Sequence, residues 1–451
     1  MSDGKNFKDY YGTHMAFDQF PKFGVLSDVK VVMTGVNIAG PFAATMMAEM
    51  GAQVIQVEPP NMPSSQRGTY GQAQDARNCF SVPLNVRSPR GKKAFEKIIR
   101  WADIWIESGR PGNYKKMGLS DAHMWELNPK LAIVHISGYG QYGPDKDRAA
   151  YDVSGQAMGG YMYMNGVSPT SPPLKVNPFL SDYATAFQAC ICALAILTHA
   201  RATGQGDSVD VSQYETMFRL LSQYPFDWFN RGFPAEGEPV KWRTGNKSDK
   251  AAAFSFYDCK DGTIFIGMNG PNVVKRGYPL IGLPTPGDGT DPDFFEGMSG
   301  SLIQLPVGQR IERALEKFCA ERTVDEVEKI MNENGIPNQR PFGPADILKS
   351  EQYKAREDII TWTDSVYGEV TGIGIMNKFK RNPSKVVASA PLLGEHTREV
   401  MSFLGMSEEE IDALYKHGDT TTMDARETAQ FWHLKEWQFF WNKEQAEKLD
   451  L

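Results

Sequence analysis

Between Pro178 and Arg201 the chain carries Ala, Leu, Ile or Cys on every face of a prospective helix, and a single carboxylate, Asp182, near its start. A helix of that kind is expected to be buried, with Asp182 at its wet end. Ser181 or Asp182 is expected to cap the free amides of the first turn. From these residues alone two readings stand side by side. In the first, which the stretch by itself favours, Asp182 only caps its helix. In the second it is a nucleophile: a carboxylate held by backbone amides stays ionised and, if its other oxygen faces a cleft, attacks an activated acyl group.

At 451 residues, 41% hydrophobic and 23% charged, the chain has room for two or three domains with substantial cores. A formal net charge of -7 without a long Lys/Arg run argues against nucleic acid or an anionic membrane as the main partner. Cys79, Cys190, Cys192, Cys259 and Cys319 lack a zinc-type spacing and read as reduced core residues, so no metal is expected. The first ten residues have no apolar signal core, and the longest apolar run, Ala189 to Leu197, is too short for a bilayer. A cytosolic protein is expected.

In chain order, Val29 to Met33 reads as a strand, Pro41 opens a helix that ends near Gly51, and Ala52 to Val57 is a second strand. That βαβ unit places Glu58 at a strand's C-terminal end, where nucleotide-like ligands dock in open parallel sheets. Gly35 and Gly40 do not spell a dinucleotide fingerprint, which removes NAD binding through that loop. Ile104 to Ile106 and Leu131 to Ile136 supply further parallel strands, making four. The first of them leads into Glu107 to Gly112 and Lys115 to Gly118, a glycine-bearing basic loop able to cradle phosphates or to be a plain surface turn. Ser208 to Val211 is a short strand. Tyr224 to Asn230 is an aromatic cluster with Trp228 at its centre, read first as core and second as a pocket wall. Phe254 to Tyr257 and Thr263 to Met268 form a hairpin of a separate α+β unit, with Asn269-Gly270-Pro271-Asn272 beyond it.

Several markers then occur together and in order. They are Ala39-Gly40-Pro41-Phe42-Ala43, Met50 to Ile55 with Glu58, Leu127-Asn128-Pro129-Lys130, Ser137-Gly138-Tyr139-Gly140, Asp182, Thr203-Gly204-Gln205-Gly206, and Ala390-Pro391-Leu392-Leu393-Gly394-Glu395-His396-Thr397. With these the chain resembles the class III, or CaiB/BaiF-type, CoA-transferases over nearly all its length up to about residue 420. Pro21 to Gly24, Asn37 to Pro41, Phe254 to Tyr257 and Asn377 to Pro383 liken it most to the carnitine and bile-acid branches.

The resemblance implies a fold, a reaction and a set of residues. The fold is α/β: a Rossmann-like large domain built from both termini plus a small α+β domain, in a homodimer of two interlocked rings. The implied boundaries are 1–230 for the large domain's N-terminal part, 231–248 for a linker, and 249–340 for the small domain. A return connection follows at 341–400, then C-terminal helices and an aromatic tail at 401–451. The reaction is exchange of CoA between an acyl-CoA and a carnitine-like or bile-acid-like acid, with Asp182 as nucleophile, through an anhydride and an aspartyl-CoA thioester. Glu58 and Arg67 fall on the family's nucleotide positions. Arg110, Lys116 and Met117 fall near pantetheine and phosphates, and Tyr151 joins the cofactor contacts. Asn37 and Ile38 fall beside the substrate, where oxalate-type members carry a Gln at the position of Ile38. Gly270 lies in a lid that excludes water from the energy-rich intermediates, and Trp228 offers a wall for a trimethylammonium group or a sterol.

Two other functions fit parts of the same sequence. A racemase of this fold needs a His–Asp base pair; here His135 lies inside a strand, and Ala149 to Asp152 offers the acid without the His. A non-catalytic CoA-binding scaffold would keep Asp182 as a cap.

Overall fold

The computed structural model describes residues 14–231, 242–425 and 427–428. Two compact units emerge. The first takes the described parts of Met1–Gly159, Asn177–Leu221 and Gln352–Leu451, and the second those of Gly160–Val176 and Ser222–Glu351. Most of the expected 231–248 linker and the tail aromatics Phe431, Trp432, Trp437, Phe439, Phe440 and Trp441 lie outside the described residues.

The first unit is built on a six-stranded sheet of β1 (Lys30–Thr34), β2 (Gln53–Val57), β3 (Cys79–Ser81), β4 (Ile104–Glu107), β5 (Ala132–Ser137) and β6 (Ser208–Ser212). The order is β3-β2-β1-β4-β5-β6 and every pairing is parallel. The near-continuous Val/Ile runs follow from this, since both faces of a parallel sheet are covered. Four expected strands become six: the Ser208 run joins the sheet, and three-residue β3 forms the other edge. Between β1 and β4 the order reverses, and there the two strand-end loops meet. A Cβ on Gly35 would come within 2.0 Å of Ser108 Oγ, so only glycine fits this approach. Such a switch point is where open α/β sheets bind ligands.

Helices α1 (Ala39–Glu49), α2 (Tyr70–Asp75), α3 (Pro89–Trp101), α4 (Asn113–Lys116), α5 (Asp121–Leu127) and α6 (Asp152–Met158) intervene between strands. The short α7 (Tyr161–Met164) belongs to the second unit, and the chain returns to the first with α8 (Leu180–Thr203) and α9 (Gln213–Arg219). The expectation that α8 is buried all round does not hold. Only Ser181, Thr185, Ala186, Ala189, Cys190, Ala193, Leu197 and Ala200 are buried, a stripe at helical spacing. Small residues on this stripe meet Ala43 and Ala44 of α1 within one core cluster, close enough for Cys190 Sγ to reach Ala43 O at 3.5 Å. The opposite face leaves Phe187 and Ile191 exposed. By length and composition α8 is long and apolar enough to cross a membrane, the one such helix among the described residues, so the shorter run counted from sequence understated it.

The segment Ala390–Thr397 closes the first unit from its C-terminal side. Arg67 Nη1 donates to Pro391 O at 3.0 Å, Gly394 N–H donates to Ser81 Oγ at 3.1 Å, and Ser81 N–H donates to His396 Nδ1 at 3.2 Å. Antiparallel β10 (Ile359–Asp364) and β11 (Gly368–Ile373) precede it, where the sequence suggests a single strand over Ile373 to Met376.

In the second unit, α10 (Tyr224–Arg231) precedes the antiparallel pair β7 (Phe254–Asp258) and β8 (Thr263–Gly267), which two-residue β9 (Asn338–Gln339) extends. Helices α11 (Pro271–Leu280), α12 (Pro306–Ala320) and α13 (Val324–Glu333) contribute to the core with Ile264, Ile266, Val274, Ile311, Leu315 and Val327. Within it Glu312 accepts hydrogen bonds from Ala253 N–H and the Tyr257 hydroxyl, fixing the start of β7.

Candidate active site

Asp182 lies in the first turn of α8, and the cap it was expected to provide comes from elsewhere. Asp152, on α6, places Oδ1 2.7 Å from the amide of Ser181 and 3.2 Å from that of Asp182. Its Oδ2 accepts from Gln156 Nε2 at 2.7 Å. The orphan amides of the helix are therefore satisfied from outside, and the Asp182 side chain is released from capping. Gly155 makes this approach possible: a Cβ there would stand 2.3 Å from Ser181 Oγ and 2.8 Å from Gln213 Cβ. Ahead of the helix Phe179 adopts φ 36°, a left-handed conformation that costs a non-glycine residue roughly 1–3 kcal/mol and recurs at functional sites.

Gln213 follows directly on β6 and donates its side-chain N–H to Asp182 Oδ1. The second carboxylate oxygen has no hydrogen-bond partner among the described residues. Burial, and then the facing Asp152 carboxylate, push Asp182 up to about 7, against the pull of the Gln213 amide. A half-buried acid with one oxygen fixed, the other open and a pKa in the neutral range has the character of a functional carboxylate. Neither Gln213 nor the capping role of Asp152 is foreseen from sequence, because both arrive through packing of other helices.

The next residue extends the site. Tyr183 hydroxyl donates to Asp75 Oδ2 at 2.9 Å, and burial lifts Asp75 to about 6 despite that bond. Asp75 lines a narrow cleft together with Asn37, Ile38, Gln56, Glu58 and Ser64. In it Gln56 Nε2 is buried without a hydrogen-bond partner among the described residues. Asn37 holds φ 71° and accepts from Ser65 Oγ at 2.9 Å, while Ile38 is buried at the start of α1.

The remaining expected contacts fall into four groups. Arg110 and Lys116 are exposed and Met117 is half-buried, all on the segment between β4 and α5, where Lys116 ends the short α4. Tyr151 is 76% exposed and immediately precedes Asp152. Arg67 departs from expectation. It is 0% exposed, its Nε and Nη2 bind Glu58, its Nη2 also donates to Ser81 and its Nη1 to Pro391 O, so four of its five N–H donors are engaged and none is open to solvent for a phosphate. The Glu58–Arg67 pair is an internal clamp joining β2 to the C-terminal segment. Trp228 and Gly270 belong to the second unit. Trp228 is buried against Tyr163 and Trp242, whereas Phe226 and Phe229 on the same helix are 74% and 66% exposed, so the aromatic cluster divides between core and surface. Gly270 takes φ 97°, donates its N–H to Ser299 O at 2.7 Å and leads into α11.

A half-buried carboxylate on a helix packed against a doubly wound parallel sheet, whose switch point carries glycine loops, is the setting of an α/β enzyme. The chain belongs to CoA-transferase family III, whose model matches residues 26–397, and it is a CoA-transferase. The bile acid CoA-transferase BaiK of Clostridium scindens is 49% identical to it over 424 residues, 93% of this chain and 94% of that protein. Two solved structures share the fold. A CAIB/BAIF family protein from Brucella suis has TM-score 0.70 and 23% identity, covering 85% of this chain and 100% of its own. Rv3272 from M. tuberculosis has TM-score 0.71 and 22% identity, covering 84% and 99%. Family membership makes CoA and acyl-CoA its substrates.

Proposed function

We propose that Asp182 is the nucleophile of an acyl-CoA:carboxylate exchange and that the acid is of the bile-acid type. One observation carries the nucleophile assignment: Asp152 satisfies the helix amides, which leaves Asp182 tethered only by Gln213 with an oxygen open. That oxygen attacks the thioester carbonyl, the C–S bond breaks, and CoA leaves as thiolate from a mixed anhydride. The thiolate then attacks the Asp182 carbonyl carbon, expelling the first acid and leaving an aspartyl-CoA thioester. The acceptor carboxylate repeats the sequence in reverse, so no net charge or electron is gained. An ionisation near neutrality suits this: Asp182 is anionic when it attacks and is a carboxylate again when it leaves.

The 49% identity to a bile acid CoA-transferase supports a sterol acid over a carnitine-type one, and exposed Phe226 offers an apolar ring face of the right kind. Arg110 and Lys116, unlike Arg67, keep exposed cations for CoA phosphates, with Met117 and Tyr151 along the pantetheine. Gly270 is read as a lid residue, whereas Trp228, buried against Tyr163 and Trp242, keeps a core role instead of forming a wall for the acid. The protomer is read as a large domain from both termini and a small one between, paired as an interlocked homodimer. Five free thiols agree with a cytosolic location.

The test is intact-mass spectrometry after mixing with bile-acid, carnitine-type and short-chain acyl-CoAs, with hydroxylamine trapping. A CoA-sized adduct or hydroxamate at Asp182, strongest with bile-acid donors and absent in Asp182→Ala, is expected. Turnover without any adduct, or retained by Asp182→Ala, would overturn the assignment.

A further inference from the structure

The loop that bears Arg110, Lys116 and Met117 leaves the sheet at Glu107, the last residue of β4, and ends at Asp121, the first of α5. Both of these flanking carboxylates hold one side chain. His135, in β5, places Nδ1 2.7 Å from Glu107 Oε1 and Nε2 3.2 Å from Asp121 Oδ2. The other Glu107 oxygen accepts the Gly109 N–H at 2.7 Å, so the grip extends into the loop itself. Across the β5–β6 pairing His135 stands opposite Asp210, and the Trp105 ring lies edge-on at 6.3 Å.

We propose that His135 is a positioning residue: its imidazolium clasps Glu107 and Asp121 and so closes loop 108–120 into the shape that presents Arg110 and Lys116 to the phosphates of acyl-CoA. The inference rests on the CoA reading of that loop given under Proposed function. Neither a general base nor a hydrophobic core role fits His135, since both of its nitrogens are engaged by carboxylates. Burial works against its charge, yet the hydrogen bonds it donates to Asp121 and Glu107 outweigh that and raise the imidazole to about 10. Asp210 is the remaining acid facing it, and its own shift includes a pull from His135. The clasp is therefore closed throughout the neutral range and does not open as the usual histidine does.

Steady-state kinetics on His135→Gln and Asp121→Asn test this, with acyl-CoA and the phosphate-free acyl-pantetheine as paired donors. The expected result is a KM for acyl-CoA raised roughly ten- to a hundredfold, as a displaced binding group produces. The KM for acyl-pantetheine and for the acid should stay within about threefold, kcat should fall by less than about threefold, and the Asp182 adduct should still form at saturating donor. Asp121 is partly exposed, so its variant keeps the test informative if His135→Gln folds poorly. Arg110→Gln and Lys116→Gln separate the two levels. If they leave KM for acyl-CoA unchanged, the loop does not read phosphate and the CoA assignment of the loop fails. If they raise it while His135→Gln and Asp121→Asn do not, or if acyl-pantetheine suffers equally, the positioning role is wrong.

Discussion

Two pairs of acids in the first unit, each with one buried member, make opposite use of the same chemistry. Around α8, Asp152 and Asp182 face each other with only an amide, Gln213, between the sheet and the site, and Asp182 is driven up to about 7. Around β5, Glu107 and Asp121 face each other across a cation. There burial still raises Glu107, but Asp121 is lowered against its burial by the hydrogen bond to His135. Desolvation acts on both clusters, so the counter-charge decides. An uncompensated pair stores reactivity where attack on an acyl carbon is needed, and a compensated one stores rigidity where a loop must be held. Glu58–Arg67 is a second instance of the compensated kind.

The largest effect that would sharpen this contrast is Asp182→Ala, expected to lower kcat by at least about 10⁴-fold without destabilising the protein to urea at about pH 8. Retained turnover would erase the distinction between the clusters. Next is Arg67→Ala: removing the cation from a buried pair is expected to cost about 3–5 kcal/mol in the same urea titration, because Glu58 is left charged and enclosed. A loss under about 1 kcal/mol would show the pair to be solvated.

Stability should follow pH with opposite causes in the two clusters. For Asp182 the folded value is raised, so its ionisation weakens the fold as pH rises from the unfolded value near 4 to about 7. Asp182→Asn is accordingly expected to gain on the order of 1–3 kcal/mol at about pH 8 and nothing at about pH 3. For His135 the raised value means a stabilisation fully present below about 6.5 and lost as pH climbs to about 10. That alkaline slope should vanish in His135→Gln, and its survival would show that the histidine is not the group responsible. The smallest effect concerns catalysis. The acidic limb of the kcat profile is expected near pH 7 and should move down by about one unit in Asp152→Asn, which removes the facing charge but keeps an oxygen for the helix amides. A limb that stays in place would assign it to another group, Asp75 with its value of about 6 being the first to examine.

What could be read from the amino acids follows the range of the forces involved. Val31 to Thr34, Val54 to Val57, Ile104 to Ile106 and Ala132 to Ile136 announce themselves because strands buried on both faces need near-continuous apolar runs. Cys79–Ser81 is too short to carry such a signal, and the Ile359–Ile373 hairpin alternates polar and apolar residues too loosely. At the site, Asp182 was legible through its helix and its family motif. Its partners were not: Asp152 and Gln213 lie some thirty residues to either side, and only the sterically forced Gly155 hints that three helices converge there. The same distance effect misled the reading of Arg67, whose charge looks available until Glu58, Ser81 and Pro391 are brought around it.

The central claim, that Asp182 itself is acylated and exchanged, is tested most directly by isotope transfer. In the anhydride route each turnover hands one Asp182 oxygen to the departing acid and receives one from the incoming acid. With acceptor acid labelled in both carboxyl oxygens by ¹⁸O, the peptide containing Asp182 should gain about 2 Da and then about 4 Da as turnovers accumulate. An unlabelled peptide after many turnovers would mean that the acid attacks the thioester without passing through Asp182.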